Sequence, residues 1–245
     1  MECNNINTQF QSQTKTQIQI QKSAKNQSLQ LVELSIKEHL DDFWEFWKEE
    51  RGVVWSTKGT QETREEALKL MKFILPKTKD NPEGETEESV KFAIVLKVEG
   101  DGEGDGEGKP SKCVGMVGTN RHSPQGLELG YMVNPNYWGN GYATWGLTEF
   151  LRTFWGMEER SHIPHLVAKV DPRNKASERI AMKAGARKGE LLEKYYSRRI
   201  DEGKKSDARC WYFDRPRSNT DEKGNMVQDG EQVYSNAEDD SILDI

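Results

Sequence analysis

Residues 127–147, LELGYMVNPNYWGNGYATWGL, join an alternating run to a helical one through a turn rich in Asn, Pro and Gly. A helix N-terminus presents unpaired N–H groups and a partial positive charge. A glycine-rich turn leading into one lets the backbone wrap an anion without side-chain collision. Gly139, Gly141 and Ala143 are small where approach must be close, so the turn reads as a cradle for pyrophosphate. It is not a P-loop, because no Lys-Ser or Lys-Thr follows. It is not a Rossmann fingerprint either: after Gly139 and Gly141 the third position is Thr144, and Gly146 is off register.

Glu128 stands at the head of the same segment. On an alternating strand it shares a face with Gly130 and Met132. A carboxylate there is placed to take a proton if that face looks into a cleft, or to make a fold-supporting ion pair if it does not. Other chemistry-bearing residues read as structural. His162 and His165 have no Cys or carboxylate at ligand spacing, so no metal is expected. GDGEGDGEGKPSK begins like a calcium loop, with Asp101, Glu103, Asp105 and Gly106. It fails at position twelve, where Lys112 replaces the bidentate Glu. Tyr195 and Tyr196 read as strand packing. The basic run Arg198, Arg199, Lys204 and Lys205 reads as a solvated hairpin loop able to attract anions. Cys3, Cys113 and Cys210 are an odd, widely spaced set, which argues against a disulfide framework and for a reducing compartment.

The elements that must position these residues follow from hydrophobic period. LQLVEL alternates as a strand. IKEHLDDFWEFWKEE places Ile36, Leu40, Phe43, Trp44 and Trp47 at helical spacing. VVWST reads as a short extended piece or a helix-to-loop bend. Thr63 with Glu66 predicts a capping box opening a helix that ends at Leu75, before Pro76. KFAIVLKVE, CVGMVGTNR and LELGYMV are strands. ATWGLTEFLRTFW is a helix with Ala143, Leu147, Phe150, Leu151 and Phe154 on one face. HLVAKV is a strand, NKASERIAMKA a helix capped by Gly185, and LLEKYY and DARCWYF two closing strands. The order implies a mixed α/β sheet with helices on both faces, in one domain.

The 245 residues carry a net charge of -6 and 34% apolar content. The charge is uneven: +2 over residues 1–27, -5 over 99–108 and -7 over 218–245, which leaves +4 on the rest. That count argues against a uniformly basic nucleic-acid binder, no stretch approaches a membrane span, and residues 1–15 do not pattern as a secretory signal. Residues 1–27 are expected as a polar disordered tail. Residues 28–215 are expected as the domain, with a flexible acidic loop over 99–112, and 216–245 as an acidic disordered tail.

LELGYMVNPNYWGNGYA resembles motif A of the GNAT (Gcn5-related N-acetyltransferase) superfamily, R/Q-x-x-G-x-G/A. Trp138 stands at the R/Q position, Gly141 at the first glycine and Ala143 at the final small residue. Trp in place of Arg or Gln departs from the general motif but is usual in the branch resembling bacterial ribosomal-protein-alanine N-acetyltransferases. DPRNKASERIAMKAGA is similar to that branch's second block, through Asn174, Ser177, Lys183 and Gly185.

The resemblance covers about residues 28–215. It implies a mostly antiparallel sheet of six to seven strands, splayed between the fourth and fifth, with acetyl-CoA in the splay and no metal. Pantetheine would pair with backbone near Met132 and Val133, beside Trp138. Pyrophosphate would sit on N–H groups of Gly139, Asn140, Gly141, Tyr142, Ala143 and Thr144, and Asn174 and Ser177 would contact the cofactor. A backbone N–H near Met132 would polarise the thioester carbonyl. Glu128 is the base candidate and Ser177 the acid or thiol-side donor. The tyrosine acid usual in the family falls on Ala181 here, so that acid is missing from its usual place.

The implied function is direct acetyl transfer to a primary amine, a protein N-terminus or a small molecule, by a cytoplasmic monomer or homodimer. Nothing in the residues separates cytoplasm from nucleus, and neither nucleic acid nor membrane is expected as partner. The alternative is a non-catalytic acyl-CoA-binding or interaction module on the same scaffold.

Overall fold

The computed structural model describes residues 21–23, 27–84, 86–98, 111–198 and 201–217. The expected tails and acidic loop lie almost wholly outside the described residues. So do Cys3 and Arg199. Elements run β1 (Gln21–Ser23), β2 (Gln27–Glu33), α1 (Ile36–Lys48), α2 (Glu50–Val53), α3 (Arg64–Ile74), β3 (Lys91–Val98), β4 (Ser111–Ser123), β5 (Gly126–Val133), α4 (Tyr142–Trp155), β6 (His165–Val170), α5 (Lys175–Lys183), β7 (Arg187–Tyr196) and β8 (Ser206–Asp214).

The strands form one sheet in the order β1-β2-β3-β4-β5-β6-β8-β7. Neighbours are antiparallel except β5 and β6. The parallel pair is joined only at Leu127↔Leu166 and Glu128↔Val167, after which the strands part into a V. This is the splay expected between the fourth and fifth strands. The eighth strand is the three-residue β1, which pairs antiparallel with β2.

Each face of the sheet carries its own core, and β3 shows why its sequence is continuously apolar. Phe92, Ile94 and Leu96 point to one core with Leu147, Phe150 and Phe154 of α4. Ala93 and Val95 point to the other, with Phe43, Phe46 and Trp47 of α1 and Ala67, Leu70 and Met71 of α3. A strand covered on both faces has no polar side to alternate with. Gly146, which fits no nucleotide motif, has a packing reason: a Cβ there would collide with Ile94.

The helix ends follow their caps. Ser35 Oγ accepts from the Glu38 N–H at 3.3 Å, and the Ser35 N–H donates to His39 Nδ1 at 3.0 Å. The box on α3 is complete: the Glu66 N–H donates to Thr63 Oγ1 at 3.2 Å and the Thr63 N–H to Glu66 Oε2 at 3.1 Å.

Of the two alternatives for VVWST the structure takes the helix-to-loop bend, with α2 ending at Val53. Two strand starts differ from the sequence expectation. Ser111 and Lys112, expected in the loop, begin β4 because they pair with Lys97 and Leu96. β7 starts at Arg187, four residues early, because Arg187 and Lys188 pair with Tyr212 and Trp211. Among the described residues no helix is long and apolar enough to cross a membrane, and no cluster of three metal-ligating side chains occurs.

Candidate active site

The V opens beyond Glu128, and its two faces differ. Leu129, Tyr131 and Val133 of β5 face the α4 and α5 side. Glu128 and Met132 face the side of α1 and α3, and Met132 packs against that core.

Backbone direction follows from the β4 pairing. The Asn134 N–H donates to the Val114 carbonyl at 2.8 Å. In an antiparallel ladder, pairs that exchange hydrogen bonds alternate with pairs that do not. Met132, opposite Met116, therefore turns its backbone groups to β4. Tyr131 and Val133 turn theirs into the V. Of the two neighbouring backbones expected beside the cofactor, Val133 thus faces the V and Met132 faces β4; side-chain alternation alone does not give this hydrogen-bond phase. The Val133 carbonyl already accepts from Trp138 Nε1 at 2.8 Å. Trp138 is otherwise 53% exposed, at the mouth of the V.

At that mouth the turn enters α4. Gly139 has φ +80° and Gly141, the N-cap of α4, has φ +75°. That is the left-handed region, where a side chain is strained. A Cβ at either position would meet nothing within 4 Å, so the turn is open on its outer side. The first helical bond runs from the Trp145 N–H to the Gly141 carbonyl at 3.0 Å. The N–H groups of Tyr142, Ala143 and Thr144 precede it and have no intrahelical acceptor. Asn140 braces the turn, its Nδ2 donating to Tyr137 O at 3.0 Å and Trp138 O at 3.1 Å. Asn174 caps α5, its Oδ1 accepting from the Ser177 N–H at 3.1 Å. The Ser177 carbonyl accepts from Tyr131 Oη at 3.0 Å.

Glu128 is 7% exposed, at the vertex. Lys169 Nζ donates to its Oε1 at 2.7 Å and Tyr196 Oη to its Oε2 at 3.2 Å. Lys169, whose side chain is 2% exposed, also donates to Tyr195 Oη at 2.7 Å. Burial, followed by the Glu128 charge, pushes the Tyr196 phenol well up. The expected ion pair therefore exists, yet each carboxylate oxygen keeps a second lone pair for another donor. Sequence reasoning missed Lys169. Its signal was a lysine inside the apolar strand HLVAKV, on the face opposite Leu166, Ala168 and Val170.

Beyond the end of β6 the site acquires charge. Arg173 Nη2 lies 2.7 Å from Asp171 Oδ2 and 2.6 Å from Asp201 Oδ1, and its guanidinium stacks 5.6 Å from the Trp55 ring. Arg198 departs from the expected solvated loop: it is 5% exposed, over the Tyr196 ring at 4.7 Å. Lys204 and Lys205 are exposed as expected. Cys113 and Cys210 are buried free thiols, pushed up by that burial to about 12 and about 11. Neither is a ready nucleophile.

The chain matches the acetyltransferase (GNAT) domain family over residues 28–187. A curated relative, the uncharacterized protein YkkB of Bacillus subtilis (strain 168), is 38% identical over 69 residues, 28% of this chain and 38% of that protein's length. Among solved structures, the ribosomal L7/L12 alpha-N-protein acetyltransferase RimL, in complex with coenzyme A, superposes with TM-score 0.56 at 15% identity. It covers 80% of this chain and 98% of its own. Spermidine N-acetyltransferase from Vibrio cholerae, in complex with CoA and spermine, gives TM-score 0.55 at 14% identity, over 76% of this chain and 95% of its own. At those identities the likeness is one of fold. The family match settles membership: this chain belongs to the GNAT acetyltransferase family.

Proposed function

We propose that this member of the GNAT family transfers an acetyl group from acetyl-CoA directly to a primary amine, with both substrates bound together. The observation that carries the reading is the V between β5 and β6, with the open, positive-φ turn of Gly139 and Gly141 at its mouth and Glu128 at its vertex. Pyrophosphate would lie on the N–H groups of residues 139–144, where helix-terminal donors are unpaired. Pantetheine would run along the inward backbone of Val133 and Tyr131, past Trp138, with the Asn174 amide and the Ser177 hydroxyl toward its arm. A backbone N–H inside the V would stabilise the oxyanion.

Glu128 would accept the amine's proton, directly or through one water, while Lys169 and Tyr196 fix its orientation. The amine nitrogen bonds to the thioester carbon and the carbon–sulfur bond breaks, leaving its electron pair on sulfur. The proton given up by the amine matches the one the thiolate takes. The two inert cysteines support direct transfer over an acetyl-enzyme. The acceptor is a protein N-terminus or a small amine, and the setting proposed is the cytoplasm.

The experiment is a melting series with acetyl-CoA followed by thiol release over an amine panel. Ligand binding raises the midpoint by mass action. A rise at millimolar acetyl-CoA together with amine-dependent thiol release is expected. No rise would overturn the cofactor assignment.

A further inference from the structure

Proton traffic through the V has two ends, and only the amine end is served by Glu128. The vertex is closed by the pairing of Glu128 with Val167, so the deepest room lies beside residues 129–131. With a phosphate end seated at 139–144, outside the mouth, the reactive end of the cofactor points to that depth. Tyr131 stands there, three residues beyond the last paired position. Its side chain faces α4 and α5, opposite Glu128, and its hydroxyl meets the first turn of α5 at the Ser177 carbonyl, 3.0 Å away.

Resting on the acetyl-transfer reading above, we infer that the Tyr131 hydroxyl donates a hydrogen bond to the departing thiolate. A phenol has one proton and rotates to suit its acceptor. Against the neutral Ser177 carbonyl, an anionic sulfur is the stronger acceptor once the carbon–sulfur bond breaks. Burial pushes the Tyr131 phenol up to about 12, so it keeps its proton at neutral pH and stabilises the thiolate without surrendering it. Sulfur then takes the proton that the amine gave up. Base and donor thus flank the reacting carbon from opposite faces of the sheet.

The test needs no knowledge of the acceptor. The thiol of CoA bound to the full chain is titrated by its thiolate absorbance, in wild type, Tyr131→Phe and Ser177→Ala. Phe keeps the ring and removes only the hydroxyl. The bound thiol of the wild type is expected to ionise about one pH unit below free CoA, a tenfold change in its ionisation constant. That difference disappears in Tyr131→Phe, which still binds CoA, and persists in Ser177→Ala. Equal thiol ionisation in wild type and Tyr131→Phe, both with CoA bound, overturns the role of Tyr131 and leaves the cofactor assignment standing. So does a difference abolished by Ser177→Ala and kept by Tyr131→Phe. CoA failing to bind the wild type overturns the acetyl-transfer reading and this inference with it.

Discussion

Glu128 and Lys169 are bound to each other by burial as much as by charge. Removing one partner of a buried pair leaves the other uncompensated, whereas replacing both with apolar residues is often nearly neutral. Lys169→Met is therefore expected to destabilise the fold by about 3–5 kcal/mol. The double change Glu128→Leu with Lys169→Met should recover most of that loss while remaining inactive. Urea denaturation with a thiol-release assay measures both, and a double variant no more stable than the single would contradict the ion-pair account. Glu128→Gln should lower kcat by about 100-fold or more, with acetyl-CoA binding retained, as loss of a general base does. A second pair of substitutions separates strain from charge at Gly141. Gly141→Ala should cost about 1–2 kcal/mol, the penalty of a left-handed residue, because its Cβ meets nothing. Gly141→Asp should in addition abolish the acetyl-CoA melting shift by setting a carboxylate against the phosphates.

The elements show where sequence reading reached and where it stopped. Capping chemistry is local, so Thr63 with Glu66 was legible, and so was the apolar face of α4. The tight turn into α4 was legible for the same reason, since glycine spacing is written in consecutive residues. Tertiary pairing was not. The hydrogen-bond phase of β5, which takes Met132 away from the V, depends on β4 partners no local pattern reveals. Lys169 reads as one charge in an apolar strand until β5 and β7 bring Glu128, Tyr195 and Tyr196 to it. Arg198 looked like loop because its stacking partner Tyr196 is local but its enclosure is not. The α1 cap carries a pH-dependent consequence. Burial holds the His39 imidazole below its ordinary value of 6.5, so the folded state binds its proton less readily than the unfolded chain. The stability of α1 is thus full above that value and is lost as pH falls through the depressed one. Between pH 7 and 5 the melting midpoint of the wild type should fall more steeply than that of His39→Gln; parallel slopes would contradict the assignment.

For the whole molecule, the net charge of -6 misdescribes the working part. The acidity is concentrated in 99–108 and 218–245, and the remainder outside the N-terminal 27 residues carries +4. That balance suits a polyanionic cofactor arriving at a helix N-terminus. It also makes a prediction about the boundaries: a chain trimmed to residues 28–217 should bind acetyl-CoA with the affinity of the full chain, by titration calorimetry. A large loss would assign the trimmed segments to the site. Above all, the proposed reaction joins a thioester to an amine within the V. The direct measurement is CoA thiol release by the full chain, with acetyl-CoA saturating and a panel of peptide N-termini and small amines as acceptors. Release is expected to depend on a primary amine and to fall at least about 100-fold in Glu128→Gln. Bound acetyl-CoA with no amine-dependent release across the panel would contradict it.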